Sequence, residues 1–220
     1  LSTRLESLGC KGPYFAMQSN GGTTSFEWAK EHPITLIESG PAAGVNGAAL
    51  VSELVAEPNV IYLDIGGTTA KCSTIQDGAA GITTEYKLEW TRTSFGYPVR
   101  TPVVDIVEIG AGGGSIAWFD PSGALRVGPV SAGADPGPAC YGRGGQEATV
   151  TDASVVLGYL DPDFFAGGRL KLGPDKAAET IERRVAKPLD MTTAQAALGI
   201  HRVLNTQMAE GIRLVSVRQG

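Results

Sequence analysis

Residues Asn59 to Gly78 read NVIYLDIGGTTAKCSTIQDG, and no other stretch constrains the fold as tightly. An apolar run, Val60 to Leu63, ends in Asp64. Gly66 and Gly67 then give up side-chain bulk, and Thr68 and Thr69 offer hydroxyls. A second strand-like run follows, with Ala70, Cys72 and Thr74 alternating with Lys71, Ser73 and Ile75. A β-turn-β unit with such a tip suits a phosphate group. Its glycines let backbone N–H groups reach phosphate oxygens where a Cβ would clash, and the threonine hydroxyls add donors. Asp64 cannot itself bind phosphate favourably; at a strand end it can hold Mg²⁺, directly or through water, or orient an attacking water. The same pattern also suits an ordinary hairpin with a polar tip.

Glycine use beyond this stretch bears on the choice. Gly is 30 of 220 residues, about twice the usual ~7% share, and it falls in clusters: NGG, SGPAAG, IGG, GAGGG, GADPGP and GRGG. Such clusters mark tight turns or close approaches of backbone to a ligand. Hydrophobic residues at 42% and charged residues at 19% suit a folded body with a real core. The net charge of −5, with no basic run, argues against duplex nucleic acid as a partner. No stretch of ~18 apolar residues suggests a membrane span, and no signal peptide is visible. Cys10, Cys72 and Cys140 are odd in number, far apart and in no CxxC pair, which fits a reducing cytoplasm. With only His32 and His201 available, a Cys/His metal site is not expected. Leu1 in place of Met, and Gly220 straight after a strongly helical run, read as a piece of something longer.

The remaining elements follow from local signals. Tyr14 to Gln18 is a strand candidate, SNGG a loop, Ser25 to Glu31 a short helix, and PITLIESG holds a short strand ending in Glu38. A helix opens at Ser39-Gly40-Pro41, capped by Ser39 or Gly40, and runs to about Glu57. Ala43, Gly47, Leu50 and Leu54 recur at helical spacing and predict its inner face. Strands are expected at about 60–65, 70–76 and 81–90, with a hairpin turn at Asp77-Gly78. Others are expected at Val103 to Ile109 and Ser115 to Phe119, the latter followed by the turn DPSG into ALRVG. Residues 129–148 read as an irregular loop, which at that length is usually functional. Thr151 or Asp152 can cap a helix reaching Tyr159, and Asp175 to Ala186 is another. Thr192 and Gln195 form a capping box ahead of a long helix with Ala197, Ile200, Leu204, Met208, Ile212 and Val215 on one stripe. Strands lead and helices follow without regular βαβ alternation, which argues against a doubly wound dinucleotide fold.

The segment LDIGGTTAKCSTI resembles the second phosphate-binding strand pair of the actin-like ATPases, and ESGPAAGVNGAALVSELVAE sits where their connecting helix should be. The match then narrows. MQSNGG, SGPAAGVNGA, DIGGTT, GYPVR, IGAGGGSIAW, VGPVSAGADPGPACYGRGG and TVTDASVVLGYLDPD occur in this order, and together they resemble the hydantoinase/oxoprolinase family from about Met17 to Gly220. The resemblance implies an α/β fold: an incomplete copy of an actin-like ATPase (ribonuclease H-like) domain, with a mixed sheet and packed helices. Residues 1–57 would be a connecting segment with its small-residue helix, and 58–220 an ATPase half-domain. It implies ATP with Mg²⁺ or Mn²⁺, a small cyclic amide or ketone as substrate, and a hydantoinase B-type partner subunit or domain. The expected activity is hydrolysis of a hydantoin or 5-oxoproline coupled to ATP cleavage. Ketone carboxylation, or a non-catalytic nucleotide-binding or assembly role, is the alternative. Complete members carry another Asp-Gly-Gly-Thr motif before this region and a Gly-rich nucleotide motif after it, so the chain alone would supply about half of the ATP cleft.

On this reading Asp64 handles the metal or water, and Gly66, Gly67, Thr68 and Thr69 cradle phosphate with help from Lys71. Two departures from the family pattern stand out: Lys71 replaces a carboxylate, and Val107 replaces a histidine found in many members. Gly112, Gly113, Gly114 and Ser115 could wrap a phosphate or substrate, or form only a tight hairpin. Asp135 and Arg143 in SAGADPGPACYGRGG are expected to line the site or a subunit interface. Cys140 reads as a small buried residue, Asp152 as a helix cap and His201 as structural. Trp28, Trp90 and Trp118 are too scattered to form a base-stacking platform.

Overall fold

The computed structural model describes residues 1–88 and 94–218. The end of the strand expected at 81–90, and Trp90, lie outside those residues. The chain forms two compact units: Leu1–Asp64 with Ser73–Ile106, and Ile65–Cys72 with Val107–Gly220.

The first unit opens with helix α1 (Ser2–Ser7), followed by the antiparallel pair β1 (Phe15–Met17) and β2 (Thr23–Ser25). Ser25 ends β2 and caps α2 (Phe26–Glu31), its hydroxyl accepting the Trp28 N–H at 3.2 Å. The strand expected before Glu38 is instead a 3₁₀ turn, Pro33–Leu36. Pro33 pre-sets a turn, and the Thr35 hydroxyl donates back to the His32 carbonyl at 2.8 Å, so local hydrogen bonding outweighs the β-branched residues. Helix α3 (Ser39–Leu54) then starts after Glu38, which takes a left-handed φ of 55°; neither Ser39 nor Gly40 is its cap.

The inner face of α3 also departs from expectation. Ala42, Val45 and Ser52 are buried, whereas Leu50 and Leu54 are 59% and 76% exposed. Small residues face inward because the helix lies close on its neighbours: Ala42 and Val45 form one core cluster with Ile75 and Val104, with Val60, Tyr62, Ala80 and Ile106 packed against it. Strand β3 (Val60–Ile65) and its neighbour β4 (Ala70–Gln76) supply part of that cluster. The expected hairpin turn forms: Asp77 and Gly78 have φ of 50° and 77°, as a type I′ turn requires, and return the chain into β5 (Ala79–Ala80), which pairs with the end of β4. The single strand expected from 81 onward divides in two. β6 (Ile82–Thr83) pairs with β9 (Val103–Val104), and β7 (Tyr86–Leu88) with β8 (Tyr97–Val99).

In the second unit the first half of β4 pairs antiparallel with β10 (Val107–Ile109), with Lys71 opposite Glu108. The expected strand 103–109 is therefore two, because its halves serve different partners. Strands β11 (Ser115–Phe119) and β12 (Leu125–Ser131) form a hairpin. The Asp120 carboxylate organises its turn, accepting the Ser122 and Ala124 N–H groups at 2.9 and 3.1 Å.

Helix α4 (Val150–Val156) follows, with Thr149 rather than Thr151 or Asp152 at the N-cap position and Asp152 completing the capping box from the third helical residue. Helix α5 (Pro174–Ile181) does not stay α-helical to Ala186 but widens into a π turn at Glu182–Ala186 and ends as a 3₁₀ turn at Lys187–Leu189. Pro188 has no N–H for the next α-type bond, so the pitch must change before it. Helix α6 (Thr193–Arg218) opens on the expected box: Gln195 N–H donates to the Thr192 hydroxyl at 3.2 Å, and Thr192 N–H to the Gln195 side chain at 3.0 Å. Its buried stripe, Ala196, Ala197, Ile200, Leu204, Met208 and Val215, packs on α4, β10 and β12. Gly211 leaves the room that Ile109 occupies. The architecture is α/β, with helices laid on small antiparallel sheets. Among the described residues no helix is long and apolar enough to cross a membrane.

Candidate functional site

Asp64 lies near the end of β3 in the first unit, exposed, on the same strand face as Tyr62. Tyr62 packs against the core under α3, at the place where α3 has Gly44; any Cβ there would collide with the phenol. Burial pushes the Tyr62 phenol above its ordinary pKa of 10.0, and the charge and hydrogen bonding of the Asp64 carboxylate push it further. The phenol thus stays protonated beside Asp64. Among the described residues no group of three His, Cys, Asp or Glu side chains could hold a metal by itself. A single hard carboxylate nevertheless suits Mg²⁺, which usually takes one or two carboxylates and completes its shell with water and substrate phosphates.

The glycine-threonine loop begins the first segment of the second unit. Gly66 N–H closes the turn by donating to the Thr69 carbonyl at 3.0 Å. Gly67 and Thr68 are exposed, and a Cβ built on Gly67 meets nothing within 4 Å. Nothing in the protein crowds that position and its φ is not left-handed, so what the glycine provides there is open room above the backbone. That is the room a phosphate oxygen would need. The Thr68 hydroxyl lies 3.4 Å from that of Ser131, at the end of β12.

GAGGG sits directly on this loop. Gly113 N–H donates to the Gly66 carbonyl at 2.9 Å and Gly114 N–H to the Gly67 carbonyl at 2.5 Å. Gly112 N–H donates to the Ser115 hydroxyl at 2.9 Å, and Ser115 N–H returns to the Gly112 carbonyl at 3.1 Å. Added Cβ atoms would lie 2.5 Å from the Gly66 oxygen at Gly112, and 2.7 Å from the Ser131 hydroxyl at Gly114. These glycines are small because one backbone lies on another. The amides of Gly112, Gly113, Gly114 and Ser115 are all engaged inside the protein.

Lys71 pairs with Glu108 across the strands at 2.8 Å, its side chain only 15% exposed. Asp135 and Arg143 are exposed on the loop after β12, where the Arg143 guanidinium donates to the Ala134 carbonyl at 3.3 Å. Cys140 is buried, as expected, and its thiol pKa is raised by burial and then by the charge of Asp152. Asp152 does more than cap. Its fully buried carboxylate accepts the Thr149 N–H and hydroxyl (3.0 and 2.8 Å) and the Ala139 and Cys140 N–H groups (3.3 and 2.8 Å), which ties the start of α4 to the preceding loop. His201 is structural: its ring stands edge-on to Tyr159, and its Nε2 shares a 3.0 Å hydrogen bond with the Ser154 hydroxyl. Sequence reasoning missed Ser131 and Thr151 as neighbours of the loop and of GAGGG. They lie far along the chain from what they touch, and no local motif marks either.

The family described as Hydantoinase/oxoprolinase matches the chain over residues 1–220. The caprolactamase alpha subunit of Pseudomonas jessenii is 39% identical over 98% of the chain, and 5-oxoprolinase 1 of Arabidopsis thaliana is 36% identical over 93%. A nucleotide-free structure of acetone carboxylase superposes on the whole chain with a TM-score of 0.85 at 32% identity. The chain spans 30%, 17% and 30% of these three proteins, less than a third of each.

Proposed function

The chain belongs to the hydantoinase/oxoprolinase family, and from that premise we propose that it is part of the ATP-dependent subunit of an enzyme that hydrolyses a cyclic amide, a hydantoin or 5-oxoproline, with ATP cleavage. The observation that carries the reading is the open room over Gly67, three residues along the chain from an exposed strand-end carboxylate. Gly66, Gly67, Thr68 and Thr69 cradle phosphate through backbone and hydroxyl donors, and Asp64 holds Mg²⁺ or Mn²⁺ with Tyr62 beside it. The metal would neutralise charge as the terminal phosphoryl group of ATP passes to a carbonyl oxygen of the substrate. Phosphoryl transfer of this kind needs placement and charge stabilisation more than covalent help, and a preset loop supplies placement. Gly112 to Ser115 brace the loop. Lys71, paired with Glu108, contributes positive potential rather than a free ammonium contact. The exposed loop bearing Asp135 and Arg143 faces the substrate or the B-type partner.

A second reading, subunit of a ketone carboxylase, is favoured by the likeness to acetone carboxylase over the whole chain. Turnover separates them. The full-length subunit with its partner is assayed for ATP-dependent loss of hydantoin, of 5-oxoproline, and of ketone with bicarbonate. Ring opening supports the first reading and bicarbonate-dependent ketone consumption the second. ATP binding without turnover of any of them leaves a nucleotide-binding or assembly module. Asp64→Asn is expected to abolish metal-dependent ATP turnover while leaving the fold intact; an unchanged rate removes Asp64 from the site.

A further inference from the structure

We infer that Thr151 is a positioning residue for the phosphate loop, acting through Gly113 on the Gly66 carbonyl and so on the Gly67 amide of the same peptide plane; this rests on the assignment of that loop to phosphate. Thr151 is the second residue of α4 and is buried. The helix does not need its hydroxyl, because Thr149 caps the N-terminus and completes a capping box with Asp152. Both donors of Thr151 go to one acceptor: its N–H reaches the Gly113 carbonyl at 2.7 Å and its hydroxyl the same oxygen at 2.8 Å. The other end of Gly113, its N–H, donates to the Gly66 carbonyl at 2.9 Å. The residue is held from both sides, and a Cβ on it would stand 3.0 Å from the Thr151 hydroxyl.

The direction of these bonds bears on function. The carbonyls of Gly66 and Gly67 are drawn towards Gly113 and Gly114. In a peptide plane the N–H points away from its C=O. Holding the two carbonyls on the GAGGG side therefore keeps the following amides, those of Gly67 and Thr68, turned away from it. Thr151 thus anchors an orientation that a glycine-rich loop would not keep unaided, since glycine backbone is the most permissive of all. Catalytic placement is sensitive to small displacements, so a lost anchor shows in ligand affinity more than in folding.

The test uses the full-length subunit with its partner and a fluorescent ATP analogue as probe. Thr151→Val keeps the β-branched shape and removes the hydroxyl; Thr151→Ser keeps the hydroxyl. The expected result for Thr151→Val is an ATP affinity at least about tenfold weaker, with faster hydrogen exchange in the peptide holding 64–70 and unchanged exchange in α6. Thr151→Ser should bind within about twofold of the parent, since it retains the charge-neutral bond. Should Thr151→Val fail to fold, Gly113→Ala asks the same question by crowding the hydroxyl. Unchanged affinity in Thr151→Val, or in Gly113→Ala, overturns the inference provided that Gly67→Val still abolishes binding. If Gly67→Val also binds normally, it is the phosphate assignment that fails. Weakened binding with exchange raised equally throughout the chain reduces Thr151 to a general structural role and likewise overturns the inference.

Discussion

Replacing Asp152 with Asn changes one buried atom and should be costly. The carboxylate accepts four hydrogen bonds, three on one oxygen and one, from Cys140 N–H, on the other. An asparagine can keep its carbonyl on the three-donor side, but its NH₂ then faces the Cys140 N–H, donor against donor. Flipping the amide turns the clash on three donors instead. The better choice still leaves one buried N–H unsatisfied, worth about 1–3 kcal/mol. It also turns the surviving charge-assisted bonds into neutral ones of roughly half the strength. The loss should total about 3 kcal/mol, which for a chain of 220 residues lowers Tm by roughly 6–12 °C. Differential scanning calorimetry measures it. A local reporter accompanies it: Cys140 is buried with its amide held by Asp152, so its alkylation by iodoacetamide, mapped by mass spectrometry, should accelerate while Cys72 stays protected. A Tm loss below about 2 °C with Cys140 still protected would show that Asp152 does not hold this loop, and the reasoning would fall.

Two glycines separate binding from folding. Gly67→Val faces open space, so it should leave Tm nearly unchanged and abolish ATP binding by calorimetry, whereas Gly114→Ala meets the Ser131 hydroxyl and the Gly67 carbonyl and should cost about 1–3 kcal/mol of stability by denaturant titration. His201 sets a pH dependence: burial holds its pKa below 6.5, so between that lowered value and 6.5 the unfolded chain binds more protons. Its contribution is present above 6.5 and lost as pH falls through this window; urea midpoints should decline there, and His201→Gln should flatten the decline.

Elements whose signals lie within a few residues were legible in the sequence. The Asp77-Gly78 turn, the short helix after Ser25, the Thr192–Gln195 box and the α6 stripe follow from backbone preferences and side-chain bonds that close locally. The tip from Gly66 to Thr69 was legible for the same reason, as was its place after a strand ending in an acid. Where several local answers were adequate, tertiary contacts chose among them. Leu50 and Leu54 suit a helix interior, yet the close-packed layer beneath α3 buries Ala42, Val45 and Ser52 and packs on Ala48 and Ala49 instead. Thr149, Thr151 and Asp152 can each cap a helix, and the buried loop amides of Ala139 and Cys140 decided which role Asp152 takes. The sequence marked GAGGG as a place of close approach but could not say to what, because glycine carries no side chain to name its partner. Only the folded chain laid it on Gly66 and Gly67, where backbone meets backbone across more than forty residues of intervening sequence.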